Sequence, residues 1–260
     1  MTGRAGLRAD GLGVSFGGVH AVSDLSIDVP AGALVGLIGP NGAGKTTTID
    51  ALTGFVPHRG RVELDGIPLH DAPPHRRAAA GLARTWQSLE LFDDLTVAEN
   101  CRVAAVQPSI ASVARDALRP RARGDDAVDA ALVALGLTDV AERRPSELSL
   151  GRRKLVAVAR ALAGRPKVLL LDEPAAGLDS DESLALGATL RGVLQSDLAG
   201  GDLSILLVDH DMALVLGVCD ELYVLDFGRL IARGSPADVR VDARVVEAYL
   251  GTTGGTRAPT

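Results

Sequence analysis

The chain has 260 residues, 47% of them apolar and 23% charged, with a formal net charge of −6. At about 150 residues per domain this is one large domain or two small ones, long enough to bury a sizeable core. The balance excludes disorder over most of the chain, argues against a general nucleic-acid binder, and leaves no run of roughly 18 apolar residues for a spanning helix. Only 4 Phe, 2 Tyr and 1 Trp occur, so Leu, Val, Ile and Ala must build the core. Lysine is as scarce: Lys45, Lys154 and Lys167 are the only three, so each needs a reason. Cys101 and Cys219 make no disulfide framework and read as small buried hydrophobes of a reducing compartment. The opening MTGRAGLRADGLG has no apolar signal core.

In chain order, residues 1–30 read as short strands joined by turns, with Gly17-Gly18 as punctuation. Residues 33–38 are a compact apolar run, best read as a buried strand. It runs into GPNGAGKTT and then into a helical TIDALTG. Residues 61–64 alternate as a strand, Asp65-Gly66 signals a tight hairpin, and Pro73-Pro74 ends that unit.

Residues from about 89 to 163 read as an all-helical insert. Residues 125–135 place Val128, Ala131, Leu132 and Leu135 at helical spacing, an amphipathic helix that Gly136 closes. The charged stretch 115–126, broken by Pro120 and Gly124, reads as an exposed loop. Leu155, Val158, Ala159 and Leu162 repeat the spacing, with Ser149 as N-cap and Gly164 just past the end. Strand–helix alternation then resumes. Residues 168–171 and 205–208 are unbroken apolar runs, the pattern of parallel strands buried on both faces. Residues 222–225 and 229–232 flank Phe227-Gly228 as a hairpin, Ser235-Pro236 starts a short helix, and the tail after Gly251 is polar. The fold class is α/β with a helical insert.

Four features carry chemistry. The run Gly39, Pro40, Asn41, Gly42, Ala43, Gly44, Lys45, Thr46 matches G-x-x-x-x-G-K-[ST] and stands between a buried strand and a helix, as that motif requires. Its glycines let backbone N–H groups turn inward around a phosphate chain, and the helix adds its positive end. Lys45 is placed to bridge the β- and γ-phosphates, and the Thr46 hydroxyl to ligate Mg²⁺. Next, Asp172 and Glu173 stand at the C-terminal end of a buried strand, the edge where open parallel sheets bind ligands. Alone they also fit a strand end capped by acids. With the glycine loop, Asp172 suits Mg²⁺ and Glu173 suits a general base. Third, Ser149-Leu150-Gly151-Arg152 opens a helix whose N–H groups can cap an anion, or which is a routine N-cap. His210, between Asp209 and Asp211, fits a solvated surface histidine or a γ-phosphate contact.

From about residue 7 to 251 the chain resembles ATP-binding cassette (ABC) ATPases. The order agrees: phosphate loop at 39–46, a Q-loop glutamine at Gln87, a signature at 148–152, a Walker B pair at 172–173, a D-loop at 177–179 and a switch histidine at His210. The segments TGF, GLARTWQSLELFDDLTVAEN, LLLDEPAAGLD, DHDMALV, LYVLDFGRLIARGSPADV and VVEAYLG further resemble the ATP-binding subunits of branched-chain amino acid importers.

The resemblance implies one cassette over 1–251: an α/β P-loop core with an N-terminal antiparallel β subdomain over 1–88 and 162–251, a helical signature subdomain over 89–161, and a tail over 252–260. It implies ATP and Mg²⁺. Phe16 would stack on adenine, although a core role also fits it. The loop residues from Gly39 to Thr46, with Thr47, would hold the phosphates. Thr46, Gln87 and Asp172 would hold Mg²⁺, and Glu173, His210 and Gln87 would be catalytic. Ser149 and Gly151 would cap the γ-phosphate of an ATP held by the opposite subunit, with Asp179 at the seam. Trp86 and Phe92 flank the Q-loop, and Phe92 would face the permease or pack in the core.

Partners implied are a second ATPase subunit, two transmembrane permease subunits and, indirectly, an extracytoplasmic solute-binding protein, with the chain on the cytoplasmic face of the membrane. Other classes that share the cassette are lipid or lipopolysaccharide exporters and soluble ABC proteins acting on nucleic acid or ribosomes. One departure stands out. The signature reads LSLGR where the family usually has LSGGQ, and Arg152, Arg153 and Lys154 put three cations at a helix N-terminus.

Overall fold

The computed structural model describes residues 6–105, 124–196 and 203–250. The tail and residues 115–123 of the expected loop lie outside them. The loop and helix readings overlap at residues 125–126, and there the helix holds, beginning at Gly124. Asp126 suits the first turn, because acids complement the positive end of a helix.

A four-stranded antiparallel sheet has the order β2-β1-β4-β5. Its strands are β1 (Leu7–Phe16), β2 (Val19–Val29), β4 (Arg59–Leu64) and β5 (Ile67–Pro68). The first thirty residues therefore hold two long strands of 10 and 11 residues, not several short ones. Register shifts between Ala9 and Ser15 carry the β1–β2 ladder past Gly11 and Gly13, while Gly17-Gly18 form the turn between the two strands. The β4–β5 turn has Asp65 at φ 52° and Gly66 at φ 76°, the left-handed pair of a tight hairpin.

The second sheet has the order β10-β9-β3-β8-β7-β6. It comprises β3 (Leu34–Ile38), β6 (Leu82–Arg84), β7 (Val168–Asp172), β8 (Ser204–Val208), β9 (Glu221–Asp226) and β10 (Arg229–Gly234). All neighbours pair in parallel except β10 with β9. Every residue of β3, β7 and β8 is buried. Because side chains alternate, each strand feeds two cores. Leu34, Ile38, Leu169, Leu171, Ile205 and Leu207 join one apolar cluster, while Val35, Leu37, Leu170, Leu206 and Val208 join another.

The second of these clusters contains the antiparallel sheet and α1 (Lys45–Thr53). The first contains residues of α3 (Val97–Ala105), α4 (Gly124–Ala134) and α5 (Leu150–Ala163). Pro73-Pro74 does not simply end a unit: Pro74 is the first residue of α2 (Pro74–Ala79), where a missing N–H costs nothing. The remaining helices are α6 (Ser180–Gln195), α7 (Met212–Val218), α8 (Pro236–Val241) and α9 (Ala243–Leu250). Ser235 caps α8 as its sequence implies. Both cysteines are free and buried, and burial pushes each thiol up to about 12. This topology sets the C-terminal ends of β3, β7 and β8 side by side.

Candidate functional site

Buried β3 delivers the chain to Gly39, which opens the loop with φ 153°. A Cβ there would stand 2.2 Å from the carbonyl oxygen of Leu225, and one at Gly44 (φ 102°) would stand 2.4 Å from that of Ala21. Glycine is therefore a packing requirement as well as a conformational one at both ends of the loop. Gly44 is the N-cap of α1, and no side chain caps that helix or places an acid in its first turn. Its first N–H groups and its positive end are left for an anion.

Lys45 is only 6% exposed. Its Nζ donates to the carbonyls of Gly39 at 2.8 Å and Pro40 at 3.0 Å. Burial draws its ammonium below the usual lysine range, against the opposing charges of Glu173, Asp172 and Asp209. The Thr46 hydroxyl donates to Asp172 Oδ1 at 3.4 Å.

Asp172 ends β7 and is 2% exposed. Burial pushes its carboxyl up, while Arg84, 3.3 Å from Oδ2, pulls it down. Glu173 follows in the left-handed region at φ 48°, and its backbone N–H donates to Val208 at 2.7 Å. This strained turn aims the Glu173 carboxylate out of the sheet edge. Gln87 Nε2 donates to Glu173 Oε2 at 3.1 Å, and His210 Nδ1 lies 3.7 Å from the same oxygen. Gln87, Glu173 and His210 thus converge from the ends of three adjacent strands, next to Lys45 and Thr46. Arranged in this way, they can hold a water and a phosphate chain together.

Two further residues serve this edge without having been singled out for it. Asp209 is fully buried, and its carboxylate accepts N–H bonds from His210 at 2.8 Å, Asp211 at 3.0 Å and Ala175 at 3.2 Å. Its sequence signal is an acid directly after an unbroken apolar strand. Lys154, buried on α5, sends Nζ to the Glu173 carbonyl at 3.5 Å. Its signal is the scarcity of lysine. Of the three, only Lys167 is an exposed partner, pairing with Asp65 at 2.6 Å. Two of the three cations at the start of α5 therefore part ways: Lys154 turns inward, and Arg152 pairs with Asp139 at 2.8 Å.

Ser149, Gly151 and Asp179 stand apart from the phosphate loop. Ser149 is the N-cap of α5 and accepts the Arg152 N–H at 3.4 Å. Asp179 caps α6 in a reciprocal box with Glu182. The nearest atoms to a Cβ at Gly151 belong to Glu182 and Leu178. Among the described residues, no hydrogen bond joins 149–151 to 39–47. Phe16 is 50% exposed at the tip of β1, as a stacking platform must be. Trp86 and Phe92 are also exposed. The Phe92 backbone is held by Asn100, which accepts its N–H at 2.9 Å and donates to its carbonyl at 3.0 Å. Trp86 meets Phe55 edge to face at 5.1 Å. Both aromatics line a groove of about 930 Å³ with Arg84, Ala157, Arg160 and Ala161.

Residues 22–176 match the family described as "ABC transporter", and residues 229–254 match "Branched-chain amino acid ATP-binding cassette transporter". The high-affinity branched-chain amino acid transport ATP-binding protein LivG of Salmonella typhimurium is 37% identical over 252 residues, 94% of this chain and 97% of that protein. The corresponding protein BraF of Pseudomonas aeruginosa is 36% identical, again over 94% and 97%. The crystal structure of an ABC transporter ATP-binding cassette in its ADP conformation has a TM-score of 0.82 at 30% identity, covering 95% of this chain and 99% of that one.

Proposed function

Because the chain belongs to the ABC transporter family of ATP-binding subunits, we propose that it drives the import of branched-chain amino acids, at an ATP site completed by a second cassette. The chain is an ATPase of that family and a subunit of a transporter complex. No helix among the described residues is long and apolar enough to cross a membrane. The reading therefore has it dock on permease subunits from the cytoplasmic face, with an extracytoplasmic solute-binding protein delivering the substrate. The substrate class rests on the C-terminal match at residues 229–254 and on the named relatives.

The observation that carries the catalytic reading is the convergence of Gln87 and His210 on Glu173 beside the phosphate loop. Lys45 would exchange the carbonyls of Gly39 and Pro40 for phosphate oxygens, and the open N–H groups of α1 would hold the rest of the chain. Glu173 would take the proton of the attacking water, and His210 would contact the γ-phosphate. Thr46 Oγ1, Asp172 Oδ1 and the Gln87 amide oxygen are hard donors that fit Mg²⁺ and leave room for phosphate oxygens and water. When bound, Mg²⁺ supplies charge neutralisation at those oxygens. Phe16 would stack on adenine. Ser149 and Gly151 would cap the γ-phosphate held by the other cassette, with Asp179 at the seam. The groove beside Trp86 would receive the permease.

The test is purification of the tagged chain from detergent-solubilised membranes. Permease subunits should accompany it, and the reconstituted complex should accumulate labelled leucine, isoleucine or valine only with ATP. Association with nucleic acid or ribosomes alone would contradict the reading.

A further inference from the structure

Arg84, at the end of β6, meets five groups with one guanidinium. Nη1 donates to Asp50 Oδ1 at 2.6 Å and reaches Thr53 Oγ1 at 3.4 Å, and Nη2 donates to Asp172 Oδ2 at 3.3 Å. Its Cζ lies 3.8 Å from the centroid of the Trp86 ring and 5.7 Å from that of Phe55. The side chain is only 6% exposed. Asp172 divides its two oxygens: Oδ1 takes the Thr46 hydroxyl and Oδ2 takes Arg84. Asp50 lies on α1, the helix that Lys45 and Thr46 begin. One planar cation therefore sits between the phosphate-side carboxylate and the aromatic wall of the groove.

We infer that Arg84 is a positioning residue that couples the Asp172 carboxylate to the Trp86–Phe55 wall, so that filling the Asp172–Thr46 edge resets Trp86. This rests on the proposed role of Asp172 toward Mg²⁺. A planar fork is needed, because the same group must bond two carboxylates and stack on indole. Lysine has one compact ammonium and cannot do both. A carboxylate bonded on one oxygen by Arg84 presents the other in a fixed direction, which is how an outer partner orients a metal ligand. Because the same guanidinium bonds Asp172 and stacks on Trp86, any adjustment of the Asp172 carboxylate would be passed to the indole.

Trp86 is the only tryptophan, so its emission reads this contact directly. The full chain is titrated with ATP in Mg²⁺ and in EDTA. Trp86 emission is followed alongside binding of a fluorescent ATP analogue, in wild type and in Arg84→Lys. Mg²⁺-ATP, and not metal-free ATP, should change wild-type emission. Arg84→Lys should abolish that change and raise the Mg²⁺ needed for half-saturation about tenfold. Metal-free ATP affinity should stay within about twofold, which a merely unfolded site would not allow. Asp50→Asn, which loosens the 2.6 Å anchor alone, should shift both readouts the same way by less, and it serves if Arg84→Lys does not fold. Persistence of the Trp86 response in both variants overturns the coupling while leaving the Asp172 reading intact. A wild type whose ATP binding ignores Mg²⁺ overturns both.

Discussion

The helix that follows the glycine loop and the helix that follows Ser149 begin differently. At α1 the N-cap is Gly44, no side chain caps the terminus, and the first turn carries a buried lysine. At α5 the Ser149 hydroxyl already takes one N–H, Asp139 pairs with Arg152, and Glu182 lies beside Gly151. A third helix, α6, carries a reciprocal cap in which Asp179 and Glu182 take each other's N–H groups. An uncapped terminus beside buried charges is unfavourable unless a ligand completes it. By that measure α1 is left open for an anion, while α5 is already partly capped. This is the contrast that the proposed site, shared between two chains, would need.

The largest effect should come from emptying the open terminus. Lys45→Ala should lower ATP hydrolysis about 10³-fold, measured by phosphate release, because one preorganised charge contributes that order of rate. Glu173→Gln should lower turnover about 100-fold or more yet leave ATP binding by calorimetry unchanged. Ser149→Ala sharpens the comparison. As a cap it contributes about 1 kcal/mol to stability, which thermal denaturation reads. As part of a shared site it should also cut turnover well beyond the loss of folded protein. If turnover only follows folding, α5 is an ordinary capped helix.

Arg152→Ala should scarcely move the melting temperature, since its pair with Asp139 is exposed on both sides. A fall in ATP-driven dimerisation would mean that Arg152 supports ATP at the seam, and an unchanged ATPase rate would mean solvated charge.

The smallest effect concerns the thiols, one on the α5 side at Cys101 and one beneath β3 at Cys219. Burial favours the neutral thiol, so the folded values of about 12 lie above the unfolded value of 9.0. The stability these groups contribute is fully present below the unfolded value and is lost as pH rises toward the folded one. A thiol reagent at pH 8 should label neither cysteine until the chain unfolds.

Local demands made much of the site legible. A glycine loop between strand and helix, and acids after an apolar run, follow from backbone geometry within a few residues. The strands β3, β7 and β8 were readable because burial on both faces removes polar residues. What escaped depends on distant partners. Arg77 looks like a surface cation in PHRRAA, yet it is buried and donates to the carbonyls of Ala51, Leu52, His70 and Ala72. Asp209, Lys154 and Arg84 likewise gain meaning only when strands far apart in sequence become neighbours. The lengths of β1 and β2 escaped because register shifts between Ala9 and Ser15 carry the ladder past Gly11 and Gly13, where the apolar alternation is broken.

The central claim is that the glycine loop of one chain and the Ser149 turn of another act on the same ATP. The direct test mixes two purified, separately inactive variants: Lys45→Ala, which keeps its Ser149 turn, and Ser149→Arg, which keeps its glycine loop. The account predicts that the mixture recovers ATPase activity, since each mixed pair holds one intact site. Two inactive proteins that stay inactive together, under conditions where wild type hydrolyses ATP, would contradict it.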